Sequence, residues 1–304
     1  VVVHLAAETG TGQSMYEIAC YNAVNVGGTA LLLDVLANDP NRSVQRIVLA
    51  SSRSIYGEGA YVCPACSSER RRFPESRNMT QLSAHQWEYC CDHCGETLQP
   101  VATHESDPAK PASIYAATKY AQEGLVRVAG DALGIDYAML RLQNVYGEGQ
   151  SLNNPYTGIL SIFSTRIRGG QILPIFEDGQ ETRDFIHVED VANAFLAAII
   201  HPGTVNLPIN VGIGAKVTVA DIANQLSDAF EAPRNLLITN EYRLGDIRHN
   251  FADINRLQNV LGYSPKINLS EGIQRFANWV KEQPLPDDRL EKANAELKMR
   301  RLMG

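Results

Sequence analysis

Short runs of Val, Ile, Leu and Ala alternate with segments of helical period along most of this chain, and that alternation limits its fold more than any other feature. Strand-like runs fall at residues 1–5, 46–51, 136–142, 172–176 and 206–211. Between them the spacing predicts helices over 16–38, 111–133, 156–168, 189–200, 218–229 and 269–281. Parallel strands must be joined by long crossovers, usually helices, so this order predicts an α/β fold with a doubly wound parallel sheet. At 304 residues, the chain is long enough for one large domain or two smaller ones.

Two stretches break the alternation. Residues 59–108 hold five of the six cysteines, the triplet Arg70-Arg71-Arg72 and little periodicity. They read as an insertion into a first domain over 1–147, held by something other than a core. Residues 148–283 read as a second domain interleaved with returning elements at 183–212. The charged stretch 284–304 reads as a solvated surface helix or a frayed end.

Cys63-x-x-Cys66 and Cys91-x-x-Cys94 have the spacing of a four-thiolate zinc site, two knuckles closing a ribbon. Four cysteine ligands leave no open position, which makes such a site structural. The weaker alternatives are a redox dithiol and a nucleic-acid-binding ribbon. The latter suffers from a net charge of −7, which argues against nucleic acid as a partner. No uninterrupted apolar run approaches the 18 or so residues that cross a bilayer, so no membrane partner is expected. Six clustered cysteines make no disulfide framework and no signal-like segment opens the sequence, so a cytoplasmic location is expected.

Tyr115 and Lys119 stand four residues apart on one face of the helix predicted over 111–133. A phenol is a poor base at neutral pH, and an adjacent ammonium favours the phenolate. About a third of one such pair is expected by chance, so context must carry the reading. Upstream, Ser51-Ser52-Arg53-Ser54-Ile55-Tyr56-Gly57 follows a strand, where open α/β sheets place ligands. Downstream, the segments Arg141 to Gly147 and Gln180 to Asp190 follow two more strands.

In this order, His4-Leu5-Ala6-Ala7, Asn25-Val26-Gly27-Gly28-Thr29, Ser-Ser-x-Ser-Ile-Tyr-Gly, Tyr-x-x-x-Lys, Arg-x-x-Asn-Val-Tyr-Gly, Arg-Asp-Phe-Ile-His-Val and Asn210-Val211-Gly212 resemble the extended short-chain dehydrogenase/reductase superfamily, in its nucleotide-sugar epimerase/dehydratase branch. The likeness runs from residue 1 to about residue 280. Within the branch, the segment His4 to Tyr16, the cysteine-rich insertion and the segment Gln150 to Gly158 are most similar to dTDP-L-rhamnose 4-epimerases. The resemblance implies a Rossmann-type fold, NAD as cofactor, a nucleotide-sugar substrate and a homodimer built on helices 16–36 and 114–128.

It also implies roles for particular residues. Ser52, Tyr115 and Lys119 would be catalytic, with Lys119 lowering the Tyr115 pKa and holding the nicotinamide ribose. Leu5, Ala6, Ala7, Asn25 and Gln143 would line the dinucleotide. Asn144, Arg183, Arg243 and Asp246 would grip the nucleoside diphosphate and sugar, with Arg248 as a helper; paired guanidinium groups suit a diphosphate. The alternative for Arg183 and Arg243 is an ion pair with Asp184 or Asp246, and His187 reads as structural. The resemblance places before Val1 a strand, a Gly-rich turn and a helix that this sequence does not contain, so it reads as an amputated start. Gly10-x-Gly12 lacks the third glycine of that turn.

Dehydratases of the branch carry an Asp-Glu pair where Arg53 and Ser54 stand, and decarboxylating members tend to carry a Glu there. The resemblance therefore implies hydride chemistry that returns what it takes: epimerisation at C4, with dTDP-L-rhamnose the expected sugar and a UDP-hexose the alternative. A non-catalytic dinucleotide sensor would need no general base, and the set Ser52, Tyr115 and Lys119 speaks against one.

Overall fold

The computed structural model describes residues 1–154 and 158–304. In chain order the first half contains β1 (Val2–His4), α1 (Thr11–Ser14), α2 (Ile18–Tyr21), α3 (Gly28–Asn38), β2 (Arg46–Ser52), β3 (Ala60–Cys63), β4 (Ser67–Arg72), α4 (Met79–Ser83), β5 (Gln99–Val101), α5 (Ile114–Leu133), β6 (Asp136–Leu142) and β7 (Asn144–Tyr146). The second half contains α6 (Ile159–Arg168), β8 (Leu173–Ile175), β9 (Thr182–Arg183), β10 (Phe185–His187), α7 (Val188–Ile200), β11 (Leu207–Val211), β12 (Val217–Thr218), α8 (Val219–Ala229), β13 (Leu236–Ile238), β14 (His249–Asn250), α9 (Asn255–Asn259), α10 (Leu269–Glu282) and α11 (Leu290–Met299). Part of the helix expected over 156–168, and of the segment Gln150 to Gly158, lies outside the described residues.

The main sheet runs β1-β2-β6-β11, parallel throughout. Side chains alternate across a strand, and here both faces are covered. Ile47, Leu49, Tyr137 and Met139 pack with Leu33, Leu36 and Val126 from α3 and α5. Val48, Ala138 and Leu140 pack on the other side with Ala194, Phe195 and Ala198 of α7 and Leu257 of α9. This is the doubly wound arrangement that the consecutive apolar residues of β2 and β6 require. A second core, including Phe163, Ile175, Phe185, Leu226 and Phe276, joins α6, α8 and α10.

β1 is an edge of the described sheet, with Val1 60% and Leu5 61% exposed. The helix expected over 16–38 is one helical segment from residue 18, interrupted by a π-helical stretch over Asn22–Gly27. By length and composition, residues 18–38 are apolar enough to cross a bilayer. One face of this segment, with Asn25, Thr29, Leu33 and Leu36, is buried in the fold, whereas Ile18, Val24, Leu31 and Val35 are exposed.

The insertion has a small core of its own. Its three strands, in the order β4-β3-β5, enclose Tyr61, Cys63, Tyr89, Cys91 and Leu98. Buried ion pairs also tie it to the second domain: Arg77 meets Glu177 at 2.8 Å. The C-terminal stretch is not frayed. Leu290, Ala293 and Leu297 of α11 are buried, and backbone hydrogen bonds join Tyr242 to Gly304 and Leu244 to Leu302. Three apolar residues on one face of α11 anchor the charged helix.

Candidate active site

The C-terminal ends of the parallel strands open into a cleft of about 590 Å3. Leu5 and Ala7 follow β1, Ser52 and Arg53 end and follow β2, and Gln143 and Asn144 follow β6. Strand ends of this kind are where α/β sheets bind ligands, because side chains from separate strands converge there. The second domain supplies Phe176, Glu181, Arg183, Arg243 and Asp246 to the opposite wall.

Tyr115 and Lys119 enter from the first turns of α5. Ser113 caps that helix, its hydroxyl accepting from the Ala116 N–H at 3.1 Å, and the i, i+4 spacing then puts phenol and ammonium on the same wall. The Tyr115 N–H donates to Ser14 Oγ at 3.0 Å, fixing the helix start against α1. Tyr21 packs edge-on against the Tyr115 ring.

The Tyr115 phenol lies deep, and burial pushes its pKa up. A hydrogen bond with Ser52 and the positive charge of Arg53 pull it back. Arg53 thus adds a charge that lowers this phenol beside the one expected of Lys119. Lys119 is itself desolvated, which lowers its pKa to about 8 against the opposing pull of Glu123. Glu123 is largely committed elsewhere, to Arg141 at 2.8 Å and to the Ser51 hydroxyl.

A sign follows for stability. The unfolded ammonium titrates near 10.5 and the folded one near 8, so below pH 8 the fold carries the full cost of a buried charge. That cost is relieved as pH rises from about 8 to about 10.5. Lys119→Met will stabilise the protein at pH 7 by up to about 3 kcal/mol while removing activity. Urea unfolding at pH 7 and pH 10.5 will show the gain at the lower pH only; a less stable variant at pH 7 would refute this.

Several expected ligand-binding residues reach the cleft. Gln143 is 5% exposed, and neither end of its amide has a partner among the described residues. With Leu5, Ala7 and the Lys119 ammonium, this orphaned amide gives a wall that fits a dinucleotide. Asn144 accepts from Arg53 Nε at 2.8 Å. Arg243 lines the cleft and also takes the ion-pair alternative, with Nε 2.9 Å from Asp246 Oδ2 and the guanidinium over the Phe176 ring. Arg183 lines the cleft but does not pair with Asp184; it donates to the carbonyls of Thr182, Ile247 and Arg248. Asp184 instead accepts backbone N–H groups of Ile213, Gly214 and Ala252.

Two assignments are corrected. Arg248 is 1% exposed and does not line the cleft. Carboxylates surround its guanidinium, with Glu88 at 2.8 Å from Nε, Asp178 at 2.7 Å and Glu177 at 3.0 Å from Nη1. It clamps the insertion to the second domain. Asn25 is fully buried, with its amide spent on the Glu8 backbone and Thr118, so it shapes the segment after β1 from behind. Ala6 is exposed, between the cleft-lining Leu5 and Ala7. His187 is structural as expected, capping α7 by accepting from the Glu189 N–H.

Sequence reasoning passed over two groups. Arg53 figured only as the absence of an acid. Glu181 lines the cleft with Oε2 buried, without a hydrogen bond among the described residues and 3.8 Å from Arg248 Nη1, and burial raises its pKa to about 7. Its place two residues before Arg183 was the available signal.

The four cysteine sulfurs Cys63, Cys66, Cys91 and Cys94 lie within 4.8 Å of one another. Cys63 and Cys94 are 3.5 Å apart, and Cys66 and Cys91 are 3.8 Å apart. Four sulfurs at about 2.3 Å from a tetrahedral zinc stand about 3.8 Å from each other, so the cluster has the dimensions of such a site.

The profile of the NAD dependent epimerase/dehydratase family matches residues 1–214. The chain is 37% identical over 283 residues to a dTDP-L-rhamnose 4-epimerase of Burkholderia thailandensis, across 93% of this chain and 75% of that protein. It is 30% identical over 285 residues to a putative UDP-glucose 4-epimerase of Methanocaldococcus jannaschii, across 92% and 77%. Among solved structures, the UDP-N-acetylglucosamine 4-epimerase of Methanobrevibacter ruminantium M1 in complex with UDP-N-acetylmuramic acid superposes with a TM-score of 0.72 at 27% identity, covering 93% of this chain and 77% of that one. MoeE5 in complex with UDP-glucose and NAD gives a TM-score of 0.70 at 27% identity, covering 92% and 78%.

Proposed function

The chain belongs to the NAD dependent epimerase/dehydratase family, and from that premise we propose that it inverts C4 of a nucleotide sugar, with dTDP-L-rhamnose and dTDP-6-deoxy-L-talose as the interconverted pair. The observation that supports the reaction class is the convergence of Ser52, Tyr115 and Lys119 on one cleft that Arg53, Arg183 and Arg243 also line.

Tyr115 Oη takes the proton of the sugar 4-hydroxyl and later gives it back, while Ser52 holds the same oxygen. When bound, NAD supplies reversible hydride acceptance at C4. Leu5, Ala7, Lys119 and Gln143 would hold it, the Lys119 ammonium reaching a ribose hydroxyl. Asn144, Arg183 and Arg243 hold the nucleoside diphosphate, so the sugar is free to turn as the 4-ketose and to present its other face. Arg53 and Ser54 offer no carboxylate for eliminating water or carbon dioxide, which leaves epimerisation as the outcome.

The relative at 37% identity supports the sugar. A second reading, UDP-hexose epimerisation, has the support of the relative at 30%. A 6-deoxy sugar presents a methyl at C5, and such a difference is worth about 1–3 kcal/mol in a pocket, so side activity on hexoses is expected. Measured side by side, dTDP-L-rhamnose will epimerise faster than UDP-glucose. The reverse order would defeat the sugar assignment and leave 4-epimerisation standing.

We propose further that Cys63, Cys66, Cys91 and Cys94 hold one structural zinc, and that the protein works in the cytoplasm, where its thiols stay reduced. The exposed Ile18, Val24, Leu31 and Val35, with Tyr120 and Val128 of α5, form the surface for a homodimer about a two-fold axis. Sedimentation will find a dimer that Leu31→Glu with Val35→Glu dissociates; a monomeric parent protein would overturn this.

A further inference from the structure

Arg53 follows Ser52 directly and lines the cleft beside Tyr115, Asn144 and Arg183. Its fork is aimed, because Nε donates to Asn144 Oδ1 at 2.8 Å. Its Nη1 is buried and has no hydrogen-bond partner among the described residues. A buried charged donor without an acceptor is costly, so a group of this kind at a cleft wall is satisfied by what the cleft binds.

We propose that Arg53 is a substrate-contacting residue whose Nη1 donates to an oxygen of the bound nucleotide sugar, between the diphosphate end of the cleft and the reacting hydroxyl at Ser52 and Tyr115. The electrostatics agree. Burial and the neighbouring Arg183 lower the Arg53 pKa to about 9, only partly offset by Asp246, Tyr115 and Asp184. Two guanidinium groups facing one space repel each other until an anionic or oxygen-rich ligand enters. The acceptor is either an oxygen of the sugar-linked phosphate or a sugar oxygen, and an arginine donates to both. This assignment rests on the nucleotide-sugar reading of the cleft.

Calorimetric titration of wild-type and Arg53→Gln protein with dTDP, dTDP-L-rhamnose, UDP and UDP-glucose tests it. Glutamine keeps an N–H for Asn144, so a loss of affinity belongs to the missing end of the guanidinium that carries Nη1, and matched thermal melting curves establish that the variant folds. The loss expected is about 10- to 100-fold. Equal loss for nucleoside diphosphate and nucleotide sugar places the contact on phosphate; loss for the nucleotide sugar alone places it on the sugar. Arg53→Lys will recover part of the affinity in either case. Affinities within twofold of wild type for all four ligands would overturn the proposal while leaving the site reading intact. Wild-type protein that binds none of the four would overturn both.

Discussion

Tyr115→Phe will lower turnover by about 10²- to 10⁴-fold, the range for loss of a positioned acid/base, while binding of the nucleotide sugar changes little. The split follows from the geometry. Tyr115 and Ser52 line the cleft together, and Asn144, Arg183 and Arg243, which line it too, are the residues proposed to hold the nucleotide. Phenylalanine keeps the ring and its edge-on packing against Tyr21, so the fold changes little. The loss will therefore fall on kcat with KM nearly constant, the pattern of an interaction made only in the chemical step. A pH profile of the parent enzyme will show activity rising toward alkaline pH, because burial raises the Tyr115 pKa and the base form must be populated. Turnover in the variant within threefold of the parent would remove Tyr115 from the mechanism.

Cys63→Ser with Cys94→Ser will abolish binding of zinc and melt the insertion. Structural zinc in small peptides contributes about 10–16 kcal/mol to folding, more than most whole domains have to spare. The insertion's own core is Tyr61, Tyr89 and Leu98 with two of the ligand cysteines, too small to hold three short strands alone. Hydrogen exchange will show lost protection over residues 60–101, whereas the main sheet keeps its own, since its two apolar layers lie elsewhere. Turnover will fall as well, because Glu88 of the insertion holds Arg248, and Arg248 accepts from Arg183 through its carbonyl at 3.0 Å. Metal analysis of the parent protein finding no zinc, or unchanged exchange in the double variant, would refute the site.

The sequence by itself determined the parallel α/β fold, because the two covered faces of β2 and β6 require consecutive apolar residues and each crossover has its own helical period. The shared place of Tyr115 and Lys119 on the cleft wall was legible from their spacing of one helical turn, whereas Ser52 entered through the family resemblance and the fold brings it to the same cleft. The four cysteines were legible for the same reason, two tight knuckles each closed within four residues. What only the tertiary structure decided depends on partners far away in sequence. Arg248 looked like a substrate ligand until Glu88, 160 residues earlier, claimed its guanidinium. Asn25 was drawn behind the cleft by Thr118, and α11 was anchored by the apolar face of Leu290, Ala293 and Leu297. The Tyr115 pKa involves the same kind of partner, because Arg53, 62 residues earlier, adds a charge that lowers it. A charged or polar side chain is long, and several positions within its reach compete for it. The chain fixes where its Cα stands, and the fold decides which partner it meets.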